Sequence, residues 1–295
     1  MKVSIIVFSP SGHTLRVSQI FKKELERKGV GVQLINITKN SSYLQGRHTQ
    51  RCLAEEIKEH DVLFIGGPVY AGHVEKNVLR LIEQLPEAGG KYGYLAVPFI
   101  TYGGVHSSIA LEEMARYLKR RNRKSILGVK IAAKHTLTQT LSNVINERKP
   151  GQFEESLIAE AVERVIQIAG REYEKITDES KSFAYSRLPE RILFTAFSQE
   201  FFHKKFKEVS IDTRKCIKCK KCISACPVNM FDYSDGMVKI VRDKRDCILC
   251  AECYHNCPVN AINYPYIEVV RKRLKDGYRE LEKEQSAIYP AVCDL

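Results

Sequence analysis

Eight of the ten cysteines in this 295-residue chain lie between residues 216 and 257, in two copies of one motif. Each copy reads C-x2-C-x2-C-x3-C-P, in "CIKCKKCISACP" and again in "CILCAECYHNCP". The chain begins without a secretion signal, so we expect clustered thiols to bind metal rather than to form disulfides. Three thiolates at this spacing can wrap one face of an iron–sulfur cube, and the fourth, followed by proline, ligates the other cluster.

The spacing therefore predicts two [4Fe–4S] clusters, each with three ligands from one copy and one from the other. The predicted ligands are Cys216, Cys219, Cys222 and Cys257 for the first cluster, and Cys247, Cys250, Cys253 and Cys226 for the second. Structural zinc is the alternative, although zinc ribbons use cysteine pairs without the third cysteine and the following proline. The remaining thiols, Cys52 and Cys293, are interpreted as unligated. Residues 209–265 resemble bacterial two-cluster ferredoxins at all eight ligand positions, which implies a small α+β domain.

The first half of the chain contains short apolar runs that alternate with amphipathic helices. The runs are "KVSIIVF", "GVQLINI", "DVLFIGG", "YGYLAVPFI" and "SILGVKIAA". Five buried strands separated by helices predict a doubly wound α/β domain with a parallel sheet. Its ligand is expected at the carboxyl ends of the strands, where the strand order reverses.

The stretch "FSPSGHT" follows the first of these strands and opens the first helix. It has neither the G-x4-G-K-[ST] nor the G-x-G-x-x-G pattern, which argues against a nucleoside-triphosphate loop and a typical dinucleotide site. Small hydroxyls and backbone N–H groups at a helix start can bind a phosphate monoester. An ordinary Ser/Thr N-cap with a glycine turn is the alternative interpretation.

The same stretch resembles the flavodoxin phosphate loop, [ST]-x-[ST]-G-x-T. The resemblance implies a flavodoxin-like, doubly wound, five-stranded parallel sheet that binds FMN. It assigns to the FMN phosphate Ser9, Ser11, Gly12, His13 and Thr14.

Two further loops, "GGPVYAGHV" at residues 66–74 and "TYGGVHSS" at residues 101–108, lie where flavodoxins wrap the isoalloxazine ring. The resemblance adds as FMN-binding residues Pro68, Val69, Tyr70, Ala71, Gly72, Thr101, Tyr102, Gly103 and Gly104. Tyr70 and Tyr102 are candidates to stack on the ring, or else they cap strand ends. His73 and His106 either hydrogen-bond the ring or are solvated surface groups.

These features divide the chain into four parts. We expect a flavodoxin-like domain over residues 1–176, a connector with an apolar helix over 177–208, a two-cluster ferredoxin domain over 209–265, and a C-terminal helix and tail over 266–295. The connector helix, "RILFTAFSQEFFHKKF", is interpreted as an interdomain packing element, with a membrane-surface helix as the alternative. No apolar run is long enough to span a membrane, so we expect a cytoplasmic protein.

The chain as a whole resembles iron–sulfur flavoproteins of anaerobes, in which a flavodoxin-like domain is fused to a two-cluster ferredoxin domain. The resemblance implies FMN, two [4Fe–4S] clusters and electron transfer to a protein redox partner. An FMN-dependent reductase that uses NAD(P)H or a small acceptor such as a quinone is the alternative, so whether the protein is an enzyme stays open. A homodimer that brings one chain's clusters to the other's flavin also stays open.

The formal net charge of +12 predicts that the redox partners are acidic, ferredoxin-like carriers. Nucleic acid is the other partner that a basic chain suggests. The predicted ferredoxin part is not especially basic, however, since residues 209–263 contain nine Lys and Arg against six Asp and Glu. Cluster thiolates would reduce that excess further, so nucleic-acid binding is not expected.

Overall fold

The computed structural model describes residues 1–44, 49–139, 144–196, 201, 208–269, 272 and 285–291. Three expectations lie wholly or largely outside these residues. They concern the second half of the connector helix (residues 197–206), the C-terminal helix over residues 268–285, and the thiol of Cys293.

A sheet of parallel strands forms the first part of the chain. Its strands are β1 (Lys2–Val7), β2 (Gly31–Asn36), β3 (His60–Tyr70), β4 (His73–Val74), β5 (Tyr92–Tyr102), β6 (Lys124–Ser125) and β7 (Gly128–Ala132). The five long strands run parallel in the order β2-β1-β3-β5-β7, while β4 pairs with β3 and β6 with β5. This is the flavodoxin-like order, which reverses between β1 and β3. The predicted fold class is confirmed for this part.

Helices cover both faces of the sheet. They are α1 (His13–Arg27), α2 (Ser41–Leu44), α3 (Thr49–Glu56), α4 (Lys76–Gln84), α5 (Ala110–Arg120) and α6 (Gln152–Ala169). Successive strand residues point to opposite faces, so Ile5 joins the core with Phe21 of α1, and Ile6 joins the other core with Met114 of α5. The sheet is thus buried on both sides, which explains why its strands are apolar almost throughout.

The C-terminal segment adds a strand that the sequence did not predict. Strand β12 (Ala287–Tyr289) pairs antiparallel with β7 and forms the edge of the sheet. Ile288 is buried in the core beside α6, and the Ser286 hydroxyl accepts a hydrogen bond from the Ala132 N–H at 2.8 Å. The sequence predicted only a helix and a tail in this region. The strand was missed because three residues have little strand signal without their tertiary partner.

The start of the connector is packed on the sheet as well. Short 3₁₀ helices span Tyr173–Lys175 and Glu179–Phe183, and α7 (Leu188–Ala196) follows them. Phe183 is fully buried and packs directly on Gly128 at the start of β7. The polar composition of residues 177–182 predicted a linker, but this one aromatic residue anchors the segment to the core.

The cysteine-rich part is a small α+β unit. Its elements are β8 (Ser210–Ile211), α8 (Lys221–Ala225), β9 (Phe231–Ser234), β10 (Met237–Ile240), α9 (Glu252–His255) and β11 (Ile262–Asn263). β9 and β10 form a hairpin, and β11 pairs antiparallel with β8, so each end of the unit is closed by a two-stranded sheet. None of the helices in the described part of the chain is long and apolar enough to cross a membrane.

The burial of Phe183 predicts that the connector contributes to the stability of the first domain. Phe183→Ala is expected to lower the free energy of unfolding by about 3–5 kcal/mol, the cost of emptying a buried phenylalanine site. Phe153→Ala is the matched control, because Phe153 lies on α6 with 55% of its surface exposed. Urea unfolding of the full chain, followed by circular dichroism, measures both. Equal stability of the two variants would show that residues 177–183 are a loose linker.

Candidate functional site

The loop of residues 9–14 joins β1 to α1 at the carboxyl edge of the sheet. Gly12 has a φ of 82°, a left-handed conformation, and the space beside its α-carbon is open. The Ser9 hydroxyl accepts a hydrogen bond from the Leu15 N–H at 2.8 Å, and the Ser9 N–H donates to Thr38 Oγ1 at 2.8 Å. These bonds hold the loop so that the first turn of a 15-residue helix faces an open space.

Backbone donors, rather than side chains, are the free groups of this loop. Within the described residues, the N–H groups of Ser11, His13 and Thr14 have no hydrogen-bond acceptor. Thr14 itself is buried, with its hydroxyl 2.8 Å from that of Thr101 in the third predicted loop. Burial lowers the pKa of His13, and nearby Lys134 and Arg16 lower it further. The loop therefore offers an anion several N–H donors in positively charged surroundings.

The second predicted loop is a tight hairpin between β3 and β4. Tyr70 pairs with His73 across a two-residue turn, Ala71 and Gly72, whose φ values are 52° and 79°. Two successive left-handed residues are typical of the turns that join adjacent strands. A side chain at Gly72 would meet the ring of Phe194, 2.6 Å from its Cβ position. Pro68 and Val69 lie in β3 directly before the turn, so residues 68–72 form one continuous ridge.

In the third loop the structure corrects the expectation for the Tyr102 ring. Tyr102 is 3% exposed, and the Lys130 ammonium lies 5.6 Å from its ring centroid. The same ammonium lies 4.7 Å from the Tyr185 ring and 5.9 Å from the Tyr289 ring. Because β5 turns this side chain toward the α5 face, the Tyr102 ring is enclosed by protein and has no face open to a flavin. Its backbone remains at the strand end.

The glycines of the third loop lie beside a buried histidine. Gly103 packs directly against the ring of His135, and burial lowers the pKa of His135 to about 4, so this imidazole is neutral. Gly104 has a φ of 87° and approaches Asn146. The Ser108 hydroxyl is buried and has no hydrogen-bond partner among the described residues. A ligand at this edge would meet polar backbone and one unsatisfied hydroxyl.

The connector supplies an aromatic side chain that the sequence analysis missed. The Phe194 ring centroid lies 4.7 Å from that of His106 and 6.3 Å from that of His73, so it lies between the second and third loops. Arg191 holds α7 in place through a bidentate ion pair with Glu112, at 2.6 and 3.0 Å. The predicted interdomain packing helix therefore also reaches the candidate flavin site.

His73 is anchored by a buried carboxylate. Its Nδ1 lies 2.8 Å from Oε1 of Glu113, and both side chains are about 10% exposed or less. The other oxygen, Glu113 Oε2, has no partner in the described part of the chain. The histidine is thus fixed to α5. The interpretation of His73 as a solvated surface group is therefore wrong.

A second buried carboxylate, Glu75, follows β4 and caps α4. Its Oε2 accepts a hydrogen bond from the Asn77 N–H at 2.8 Å, and its Oε1 accepts one from the Asn77 side chain at 3.0 Å. Burial raises the pKa of Glu75 to about 7, although these hydrogen bonds and the charge of Lys76 act in the opposite direction. The residue therefore changes its charge near neutral pH, beside the second loop.

The eight clustered thiols line two separate cavities. One cavity is lined by Cys216, Cys219, Cys222 and Cys257, and the other by Cys226, Cys247, Cys250 and Cys253. In each set three thiols come from one copy of the motif and one from the other. Among the described residues, no three His, Cys, Asp or Glu side chains are close enough to hold a single metal ion. The thiols are spread around a space rather than gathered on a point.

The surroundings of the thiols repeat in the two copies. The Met230 N–H donates to Cys226 Sγ and the Ala261 N–H donates to Cys257 Sγ, both at 3.2 Å. Burial raises the pKa of Cys250 and Cys253, and the neighbouring thiols raise it further. Thiolates in such a site need a bound cation for their stability.

The second cavity lies against the first domain. The Lys39 N–H donates to the Pro227 carbonyl at 3.0 Å, and the Asn229 side chain donates to the Lys39 carbonyl at 3.0 Å. Farther along the contact, Lys76 Nζ donates to the Arg245 carbonyl. Pro227 and Asn229 directly follow Cys226, a thiol of this cavity. These bonds hold the cavity next to the sheet edge that carries the three loops.

Tyr70 is the residue of the second loop that reaches the cysteines. It lies near Cys250, a thiol of the second cavity. Burial raises the pKa of the Tyr70 hydroxyl, and the neighbouring Cys250 thiol raises it further. The ring therefore lies between the candidate flavin loop and the second cavity. The sequence predicted this residue as a flavin contact but did not predict its contact with the other domain.

A polar cleft of about 760 Å³ runs between the loop of residues 9–14 and the cysteine-rich unit. Its walls include Ser9, Thr38 and Lys39 on one side, and Lys221, His255 and Asn256 on the other. The candidate anion-binding loop is thus open to solvent on this side.

Residues 215–262 match the family model of the 4Fe-4S dicluster domain. No curated protein matches the chain in sequence. Among solved structures, the chain is similar to flavodoxin 1 from Bacillus cereus (14% identity, 57% of this chain and 98% of that chain, TM-score 0.40). It is also similar to an apo NADH:FMN oxidoreductase, EmoB (15%, 60% and 94%, 0.43), and to a flavodoxin from the domain Archaea (14%, 58% and 100%, 0.37).

The chain therefore combines a flavodoxin-like fold, given by its own strand order, with a 4Fe–4S dicluster domain. A domain of this kind binds iron–sulfur clusters and transfers electrons to other redox proteins.

Glu75 is expected to titrate near pH 7, protonated below that value and ionised above it. In infrared difference spectra between pH 6 and pH 8, Glu75→Gln is expected to lose the share of the protonated-carboxyl band that Glu75 contributes. Glu83→Gln, on the exposed side of the same helix, is the matched control and should keep the whole band. Identical difference spectra for Glu75→Gln and the unchanged protein would mean that Glu75 does not change its protonation between pH 6 and pH 8.

Proposed function

We propose that the protein is an electron-transfer iron–sulfur flavoprotein, in which electrons pass between FMN and two [4Fe–4S] clusters and on to a protein redox partner. The observation that carries the proposal is the contact of the first domain with the second cavity, where Lys39 is hydrogen-bonded to Pro227 beside Cys226 and Tyr70 of the second loop lies near Cys250. Short separation is the first requirement for electron transfer, and this contact joins the two candidate cofactor sites within one chain.

The fit of FMN to the first site is supported by the open donors described above. We infer that the N–H groups around Ser11, Gly12, His13 and Thr14 hold the phosphate, with Ser9 fixing the loop. Residues 68–72 and 101–104 would flank the isoalloxazine ring, with Tyr102 contributing its backbone. The buried, unsatisfied Ser108 hydroxyl and the ring of Phe194 mark the far wall of this space.

The fit of the clusters is supported by the two four-thiol cavities. We assign Cys216, Cys219, Cys222 and Cys257 to one [4Fe–4S] cluster, and Cys226, Cys247, Cys250 and Cys253 to the other. The crossed fourth cysteine ties the copies together, so each cluster also stabilises the fold of the unit. The N–H donors to Cys226 and Cys257 stabilise negative charge on the sulfurs.

FMN exchanges one or two electrons and a [4Fe–4S] cluster exchanges one, so a chain that holds both can join two-electron chemistry to one-electron transport. The chain's own residues set the order of the sites. Lys39 of the first domain is hydrogen-bonded to Pro227, beside Cys226 of the second cavity, and Tyr70 lies near Cys250 of the same cavity. We therefore place the second cluster nearer the flavin and the first cluster nearer the partner.

The proposed function is tested by anaerobic reduction of the loaded protein, followed by the visible absorbance of the flavin. We add NADH, then NADPH, then a reduced acidic two-cluster ferredoxin. Bleaching is expected with the ferredoxin and not with either nicotinamide. Rapid bleaching by a nicotinamide would instead identify a reductase with its own hydride site. Failure of every donor, with dithionite still effective, would contradict electron transfer through the clusters.

A matched pair of cysteine variants tests the order of the sites. Cys250→Ala is expected to lose the cluster nearer the flavin, which halves the iron content and slows flavin reduction by the ferredoxin at least tenfold. Cys52→Ala is the control, because Cys52 lies on α3 and lines neither cavity. Iron analysis and stopped-flow absorbance provide the two measurements. Unchanged flavin reduction in Cys250→Ala would contradict the proposed route.

Phe194 is expected to contribute to flavin binding. Removing an aromatic contact costs about 0.5–1.5 kcal/mol beyond buried area, so Phe194→Ala should weaken FMN binding by at least about threefold. Ile192→Ala, on the same helix but 63% exposed, should bind FMN as the unchanged protein does. Fluorescence titration of FMN into the flavin-free protein measures both. Equal affinities in the two variants would place Phe194 outside the flavin site.

A further inference from the structure

The two cysteine loops have the same backbone and opposite surroundings. Lys218 and Lys220 of the first copy have φ values of 59° and 61°, and their counterparts Leu249 and Ala251 have 54° and 64°. In both copies the second of these residues is the N-cap of the helix that follows. The loops are therefore comparable position by position, and any difference between them lies in the side chains.

The second cysteine loop, over residues 247–257, is apolar where it faces the first domain. Ile248 is 5% exposed and Ala251 is 1% exposed. Ala251 and Leu249 pack in one apolar cluster with Tyr264 and with Leu137, which belongs to the flavodoxin-like part. No lysine or arginine occurs between residues 247 and 257. This loop is built for a contact within the chain.

The first cysteine loop, over residues 216–226, is exposed at the same positions. Ile217, the counterpart of Ile248, is 60% exposed, and the thiol-bearing Cys219 is exposed too. The intervening side chains are the exposed Lys218, Lys220 and Lys221. No aspartate or glutamate occurs between residues 216 and 226. The edge of the first cavity therefore opens to solvent through a positively charged loop.

Two further cations extend this charge. The Arg214 side chain is 91% exposed and the Lys215 side chain 60% exposed, and both lie within 4 Å of Asp212, at 3.5 and 3.9 Å. Lys220 lies over the Tyr233 ring, with its ammonium 3.9 Å from the centroid, which limits where it can point. We call the five residues Arg214, Lys215, Lys218, Lys220 and Lys221 the cationic collar.

We propose that the cationic collar is the docking surface for an acidic redox protein, which exchanges single electrons with the cluster of the first cavity. This rests on the proposed function and assigns its partner site. One copy of the repeat has kept apolar residues for the contact within the chain, and the other has charges for a contact between chains. Rim charges around an exposed apolar residue and a cluster edge suit a transient complex, formed quickly and released quickly. In each encounter one electron leaves the reduced partner and enters the chain, with no bond made or broken.

The repeat itself provides the test variant. Lys218→Leu/Lys220→Ala gives the first loop the residues that the second loop carries in the same backbone conformation, so folding and cluster content should be retained. At low salt we expect about tenfold weaker binding of a reduced acidic two-cluster ferredoxin, measured by calorimetry, and a similar fall in the rate of electron transfer. Two lost exposed ion pairs account for that size. The dependence of the rate on salt should also flatten.

Two other variants complete the experiment. Lys23→Leu/Lys58→Ala removes the same charge from exposed positions of the flavodoxin-like part and should bind the ferredoxin within twofold of the unchanged protein. Lys218→Arg/Lys220→Arg keeps both charges and should bind the ferredoxin as tightly as the unchanged protein does. Equal losses in the repeat-matched variant and this control, or no loss in either, would overturn the proposal, as would collar-dependent binding of a DNA oligonucleotide but not of the ferredoxin. If the unchanged protein binds the ferredoxin but its flavin is never reduced, the proposed function fails while the docking surface stands.

Discussion

The rest of the structure depends on one contact, between the β3–β4 turn and the second cysteine loop. Tyr70 lies near Cys250 there, while the lysines at positions 39 and 76 fasten its two sides through bonds to backbone carbonyls. The contact holds one cavity against the first domain, whereas the loop of the other cavity carries the exposed Cys219. It therefore turns a nearly symmetric repeat into an ordered pair of sites, one internal and one external.

The features that the sequence predicted well are those whose partners are close along the chain. Cysteines at intervals of three residues lie close together in any fold, so their spacing alone indicates how they are arranged. Ser9 and Gly12 lie in a single turn, directly after a strand whose apolar residues mark it as buried. The strand order followed from alternating strands and helices, because crossovers between parallel strands leave few arrangements. The role of the fourth cysteine of each motif as a ligand of the other cluster stays a prediction, made from the proline that follows it.

The features that were missed depend on distant partners or on the direction of one side chain. Phe194 is an unremarkable apolar residue until Arg191 and Glu112 fix its helix beside residues more than one hundred positions earlier. The Tyr102 ring is enclosed beside Lys130, a residue of another strand that lies far away along the chain. Glu113 is buried on α5 and pairs with His73, which lies 40 positions earlier, so no local pattern predicts the pair.

Because β12 returns to the first sheet, the cysteine-rich unit is an insertion within the flavodoxin-like fold and not an appendage to it. Both ends of the inserted segment are fastened, one by Phe183 against Gly128 and the other by Ile288 in the core. A unit attached at two points can reorient less than a unit attached by a single linker. The cysteine-rich unit therefore has a high effective concentration near the first domain and also a restricted orientation. A single proteolytic cut in either attachment would leave the two parts associated, and only a second cut would release the cysteine-rich unit from the flavodoxin-like fold.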